Sequence, residues 1–151
     1  MRHPVQNPAL KNLDVLVGVW SVEISNMSFQ SDPSATVRGQ DRFEWLEGGA
    51  FLMMYSDTEY PDVPNAVRAI GRDDSVEKYS MLYFDSRGVS RIYDMSLEDG
   101  VWKLWRNAPG FRQRFTGTFS ADGNTIAARW EKSSDGTNWE HDFDLTYQKI
   151  R

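Results

Sequence analysis

The sequence contains no cysteine, and this absence excludes several kinds of chemistry. Without thiols the chain can form no disulfide, no thiolate metal site and no cysteine nucleophile. Histidine is scarce as well: His3 and His141 are the two that occur, so the chain has no histidine cluster. We therefore predict no metal site and no resident cofactor.

The chain also lacks long apolar runs. No stretch approaches the roughly 18 consecutive apolar residues that a membrane helix needs, and residues 1–4 lead into no segment of signal-peptide length. The net charge is -5 and the pI about 5.0, whereas a nucleic-acid binder usually presents a basic face. We expect a soluble, cytoplasmic protein that binds neither membrane nor nucleic acid.

Known catalytic motifs are missing too. The sequence contains no H-E-x-x-H, no G-x-S-x-G and no glycine-rich phosphate loop. Any reaction would have to depend on side chains that the fold brings together.

The chain is rich in short segments with alternating apolar and polar residues. Leu10, Leu13 and Leu16 have helical spacing, which predicts one short helix over residues 8–16, ended by Gly18. From Val19 onward the period is two, which is typical of strands. The predicted strands are 19–25, 36–46, 50–58, 65–72, 78–85, 89–97, 101–107, 111–120, 125–132 and 139–149.

Short turns rich in Asp-Gly and Gly-Gly join most of these segments and favour hairpins. A meander of about ten strands buries an apolar face most simply by closing on itself. We therefore predict an all-β fold: a single antiparallel up-and-down barrel over residues 1–151, with a short N-terminal helix. A barrel of about ten strands should leave room for a ligand, and the long connections 27–35 and 57–65 are candidates for its rim.

Side-chain alternation predicts which residues face the interior. In the last strand we place Trp139, His141 and Phe143 inside, and we expect Asp142 and Asp144 outside, beside Arg112 or Arg114. Strand 50–58 is apolar on both faces, which suggests cover by the helix or by a partner in a homodimer. The predicted ligand-binding residues are Phe43, Trp45, Met53, Tyr55, Tyr79, Tyr83, Arg91, Tyr93, Trp105, Gln113, Trp130 and His141.

Two polar groups have alternative interpretations. Arg91, with Tyr83 and Tyr93, could orient a carboxylate or carbonyl group; otherwise Arg91 points outward and pairs with Asp94 or Asp85. His141 could act as a general base, or it could be a hydrogen-bonded structural residue.

Gly18-Val19-Trp20, at the start of the first strand, resembles the Gly-x-Trp signature of the calycins. Residues 111–126, together with Arg129-Trp-Glu and residues 139–147, resemble bacterial lipocalin-like proteins of unassigned function, which are related to the nitrobindins. The resemblance implies a lipocalin-like barrel. It also implies a structural set of Gly18, Trp20 and Lys149, with Arg151 as the second candidate for the basic residue that packs over the tryptophan.

Nitrobindins bind haem through a histidine on the last strand. The corresponding position in this sequence is Asp144, a poor haem ligand, so the resemblance makes haem binding a less favoured expectation.

The favoured prediction is therefore binding of a small hydrophobic or aromatic ligand inside the barrel, by a carrier or a sensor. The alternative is a small cofactor-independent enzyme of the cyclase, isomerase or lyase type. Its catalytic residues would be His141 with Tyr83 or Asp41.

Overall fold

The computed structural model describes residues 7–32 and 34–151. Residues 1–4, on which the expectation of no signal peptide rests, and Pro33 of the first long connection lie outside this range. A 3₁₀ helix, Pro8–Leu16, precedes ten strands. The strands are β1 Gly18–Ser25, β2 Val37–Leu46, β3 Phe51–Thr58, β4 Ala66–Asp73, β5 Lys78–Asp85, β6 Ser90–Glu98, β7 Val101–Ala108, β8 Phe111–Phe119, β9 Thr125–Ser133 and β10 Glu140–Lys149.

Each strand pairs antiparallel with its sequence neighbours, and β1 also pairs with β10, so the sheet is a closed barrel. This confirms the predicted fold class. Every predicted strand corresponds to an observed one, with ends that differ by at most one residue. Within the described ranges, no helix has the length and apolar character needed to cross a membrane.

The 3₁₀ helix covers one end of the barrel. The side chain of Asn7 accepts a hydrogen bond from the Ala9 N–H (3.0 Å) and caps the helix start, beside Pro8. Leu10, Leu13 and Leu16 are buried in the barrel core, as their spacing predicted. This end of the barrel is therefore closed by packing.

Trp20 lies at the centre of the closed end and is fully buried. Its indole N–H donates to the carbonyl oxygen of Leu16 (2.8 Å), which ties β1 to the helix. The ammonium of Lys149 lies 5.6 Å from the centroid of the Trp20 ring, within the range of a cation–π contact. The expected pairing of Trp20 with Lys149 is thus present.

Gly18 joins the helix to β1 in a conformation that favours glycine, with φ of +131°. A Cβ atom there would collide with the backbone oxygen of Arg151. We predict that Gly18→Ala lowers the free energy of unfolding by about 1–3 kcal/mol through backbone strain, measured by urea denaturation.

Gly71→Ala is the matched control, because Gly71 lies in β4, and its added Cβ would contact nothing within 4 Å. It should leave stability unchanged or raise it by up to about 1 kcal/mol. Equal costs for the two substitutions would show that the Gly18 junction is not strained.

Candidate functional site

The barrel contains a cavity of about 340 Å³. At the end opposite the 3₁₀ helix, both long connections reach it. Phe29 comes from the β1–β2 connection, and Val63 and Pro64 come from the β3–β4 connection. These loops contribute to the cavity wall, as their length predicted.

Aromatic rings in mutual contact form much of the apolar wall. Trp102 on β7 packs against Phe115 on β8, with ring centroids 4.7 Å apart, and Phe115 packs against Trp130 on β9 at 5.2 Å. Trp130 in turn lies 6.5 Å from Phe143 on β10. All four side chains line the cavity, so it presents a broad aromatic surface to a bound molecule.

A buried carboxyl group, Asp41 on β2, also belongs to the lining and is 6% exposed. Burial raises its pKa, because a charge is poorly solvated there, while Arg68 and the hydroxyl groups of Ser56 and Tyr147 act to lower it. Arg68 also donates to the hydroxyl oxygen of Ser56 (2.5 Å). Burial likewise raises the pKa of Tyr147. This cluster is a candidate for proton exchange with a ligand.

A second polar cluster lies on β5 and in the β5–β6 turn. The hydroxyl group of Tyr83 donates to Asp85 (2.8 Å), and burial, reinforced by this bond, raises the pKa of Tyr83 to about 12. Hydrogen bonds from Arg87 hold the pKa of Asp85 well below its usual range, although its burial opposes this. Tyr83 therefore stays protonated at neutral pH.

A third polar group links β6 to β8. The hydroxyl group of Tyr93 donates to the amide oxygen of Gln113 (2.9 Å) in buried surroundings. The guanidinium of Arg91 lies over the ring of Phe111, 5.3 Å from its centroid. Because Arg91 lines the cavity, the alternative in which it points outward to Asp94 or Asp85 is wrong; Asp85 pairs with Arg87.

About half of the predicted site residues meet at the cavity. Their side chains point inward, on strands for which the alternation in the sequence identified the inward face correctly. They are Asp41, Tyr83, Arg91, Tyr93, Gln113 and Trp130.

Three other predicted residues lie toward the closed end instead. Phe43 is buried beneath the cavity and packs edge-on against Trp102 at 6.0 Å. The hydroxyl group of Tyr79 donates to the carbonyl oxygen of Ala9 in the helix. The indole N–H of Trp45 donates to Asp14 (2.8 Å), so it too contacts the helix rather than the cavity.

Met53, Tyr55 and Trp105 belong to the outer face, so their predicted inward positions are wrong. On β3 the buried residues are Leu52, Met54 and Ser56, and the ring of Tyr55 packs under Arg42 at 4.4 Å. The β3 sequence is apolar on both faces, so alternation alone could not choose between them.

Trp105 alternates with buried residues on β7. Trp102 and Leu104 are buried there, and exposed Lys103 shares the face of Trp105. The charge of Lys103 was a signal in the sequence that could have fixed this phase.

His141 is also outside the cavity, because a β-bulge interrupts β10. His141 pairs with Glu131, and Phe143 pairs with the next residue, Trp130, which leaves Asp142 as the extra residue. The imidazole Nε2 lies 2.8 Å from Asp144 Oδ1 on the outer wall. The prediction of an inward His141 is therefore wrong.

The bulge reverses two related expectations. Asp142 is buried and lines the cavity, and it bonds to Ser28 (2.7 Å) and Lys132 (3.7 Å) rather than to an arginine. Trp139 lies outside, beneath the guanidinium of Arg114 at 4.1 Å. A bulge leaves little trace in an alternating sequence, so it was not foreseeable from the pattern.

The described part of the chain lacks the histidine haem ligand that the nitrobindin resemblance implies. The position that the nitrobindin resemblance assigns to the haem ligand, Asp144, accepts hydrogen bonds from Asn26 and contacts His141 outside the cavity. A haem inside the barrel could not reach either side chain.

Sequence reasoning did not select several lining residues. They are Met54, Ser56, Arg68, Met81, Trp102, Leu104, Phe115, Asp142, Phe143 and Tyr147. Of these ten, five sit on strands whose inward face was left open, four (Met81, Phe115, Phe143 and Tyr147) had been placed inside without being assigned to the site, and Asp142 had been placed outside.

Replacement of Asp41 tests its burial. Because its pKa is raised in the folded state, folded protein binds the proton more tightly, and wild-type stability falls as pH rises above the unfolded value of about 3.9. Asp41→Asn removes this loss. We predict that its stability relative to wild type increases with pH, by about 1.4 kcal/mol for each unit of pKa elevation.

Urea denaturation at several pH values between 4 and 8 measures the difference. Asp94→Asn, on the exposed face of β6, serves as the control for the loss of one carboxyl group. A flat profile for Asp41→Asn would contradict the raised pKa.

The solved structure of Rv2717c from M. tuberculosis is similar to this chain in fold. The TM-score is 0.68, and the match covers 97% of this chain and 100% of that one. Sequence identity is 12%, so the likeness shows the barrel fold alone. No protein-family model matches the sequence, and no curated protein matches it.

Proposed function

We propose that this protein binds a small, largely apolar or aromatic molecule inside its barrel, as a carrier or a sensor. The observation that carries the proposal is the cavity of about 340 Å³, whose walls combine aromatic rings with a few polar groups. Pockets of this size and character are typical of small-molecule sites. The location that the sequence suggests, the cytoplasm, stays a prediction.

We also propose a lipocalin-like relationship. Two features support it: the Gly18-Val19-Trp20 segment begins β1, and Lys149 packs over the Trp20 ring at the closed end. The nitrobindin part of the resemblance has weaker support, because the haem-ligand position holds Asp144 on the outer wall.

A cofactor-independent enzyme is the second candidate, and its residues change with the structure. His141 lies outside, so a general base would have to be Asp41, with the hydroxyl group of Tyr147 as its partner and Tyr83 elsewhere on the lining. The buried carboxyl group with a raised pKa favours this candidate, since catalytic groups often have such shifts.

The homodimer also stays a prediction. Outward residues on neighbouring strands form an apolar cluster on the barrel surface: Val67 lies opposite Phe84, and Leu82 lies opposite Ile92. All four side chains are exposed. Gel filtration, with Ile92→Lys as a comparison, tests whether a second copy covers this face.

Binding can be measured with N-phenyl-1-naphthylamine, an uncharged aromatic probe whose fluorescence rises in apolar surroundings. Ala66 lines the cavity at the start of β4 and is 5% exposed. We predict that Ala66→Phe fills part of the cavity and weakens probe binding about tenfold or more, which corresponds to roughly 1.4 kcal/mol.

Ala127→Phe is the matched control, because Ala127 lies on the exposed face of β9. It should bind the probe as wild type does. Far-ultraviolet circular dichroism confirms that both variants fold. Absence of probe binding to wild type, or equal binding by both variants, would contradict a site inside the barrel.

A further inference from the structure

The cavity contains hydrogen-bond donors that the protein leaves without acceptors. Gln113 is 8% exposed and lines the cavity, and its amide oxygen accepts the hydrogen bond of Tyr93. The amide oxygen thus has a hydrogen-bond partner within the protein, and the amide also has two N–H donors. They form no hydrogen bond with any described residue.

Trp102 adds a second donor of this kind. Its side chain is 1% exposed and lines the same cavity, and its indole N–H has no partner in the described part of the chain. A buried donor without an acceptor is unfavourable in a folded protein and calls for an explanation. This nitrogen has almost no accessible surface, so a molecule in the cavity reaches it only if the lining shifts, and the carboxylate site does not include it.

Arg91 contributes a positive charge. Its guanidinium stacks on Phe111, and it forms no ion pair among residues 7–32 and 34–151. The other two arginines of the lining are engaged: Arg87 binds Asp85, and Arg68 binds Ser56 beside Asp41. Arg91 is thus the lining arginine that lacks a polar partner in the described chain.

The acidic residues of the lining do not compensate Arg91. Asp142 is held by Ser28 and Lys132, and Asp41 lies in the field of Arg68. Asp57 and Asp62 are exposed to solvent, where water and salt screen their charge.

The uncompensated donors lie on one wall. Arg91 and Tyr93 are two residues apart on β6 and face the cavity, and Phe111 and Gln113 are two residues apart on β8 and do the same. The Arg91–Phe111 and Tyr93–Gln113 contacts join these strands at successive levels. Arg91 and Gln113 therefore both face the cavity from the same side of the barrel, with β7 between their strands.

We propose that the ligand is an aromatic carboxylic acid, whose carboxylate is bound by the guanidinium of Arg91 and the amide N–H groups of Gln113. This inference rests on the proposed binding function and specifies its ligand class. A carboxylate offers only acceptors and a negative charge, which matches donors of this kind. The aromatic part packs against Trp130, which lies 5.5 Å from the Tyr93 ring.

The test compares 2-naphthoate with 2-naphthamide, which has nearly the same shape and no charge. Isothermal titration calorimetry measures both affinities, and displacement of N-phenyl-1-naphthylamine shows whether they share its site. The variants are Arg91→Gln and Gln113→Leu. Arg129→Gln, on the exposed face of β9, is the control.

Wild type should bind naphthoate at least about tenfold more tightly than naphthamide, as expected for charge-assisted hydrogen bonds. Arg91→Gln and Gln113→Leu should each weaken naphthoate binding about tenfold and reduce the preference for naphthoate over naphthamide, while far-ultraviolet circular dichroism shows that both variants fold. Arg129→Gln should change neither.

If the uncharged probe binds but naphthoate does not displace it, the carboxylate site is wrong. The same conclusion follows if naphthoate binds no more tightly than naphthamide. In both cases the proposal of binding in the cavity stands. Unchanged naphthoate affinity in both cavity variants has the same meaning. If the probe itself fails to bind to wild type, the proposed function fails, and this inference fails with it.

Discussion

The pairing of β1 with β10 turns ten strands into a closed wall, and the interior exists because of it. Backbone hydrogen bonds from Val19 to Arg151 (2.7 Å) and from Ile150 to Val19 (2.7 Å) complete this seam at the closed end. Trp20 fills the space beneath it, and the helix covers Trp20. Closure leaves no free sheet edge, so the inner face can hold polar groups whose environment is set by the barrel rather than by bulk water.

Inside this wall, the two ends of the barrel serve different purposes. Near the helix, Phe43, Leu52 and Ile70 are almost completely buried, which is typical of a close-packed core. Toward the long connections, packing is incomplete, and the lining includes Asp41, Arg91 and Gln113. Polar groups are costly in an apolar interior unless they are paired. Asp41 has partners in Arg68, Ser56 and Tyr147, whereas the guanidinium of Arg91 has only the ring of Phe111 among the described residues.

The fold was predictable because alternation and turn residues agree along the whole chain. The site was predictable only where charges fix the phase of a strand. Arg42 and Glu44 place Asp41 inside β2, and Arg112 and Arg114 place Gln113 inside β8. On β3 no such charge separates the two apolar faces. In the β10 sequence the alternation of residue types continues without a break, but in the structure the bulge interrupts it. As a result Asp142 faces the cavity and His141 does not.

The bulge also affects the balance of charge in the cavity. It brings Asp142 into the lining. The carboxylate of Asp142 binds Ser28, which belongs to the β1–β2 connection, and Lys132. The β6–β8 wall contains no aspartate or glutamate among the lining residues, whereas it contains Arg91 and Gln113. Elsewhere in the lining, Arg68 lies beside Asp41 and Arg87 pairs with Asp85, so the β6–β8 wall is where a positive group lacks a carboxylate partner among the described residues. A molecule with an acidic group and an aromatic body has one favoured orientation in such a field, because reversal would place its charge beside Asp41 and Asp142.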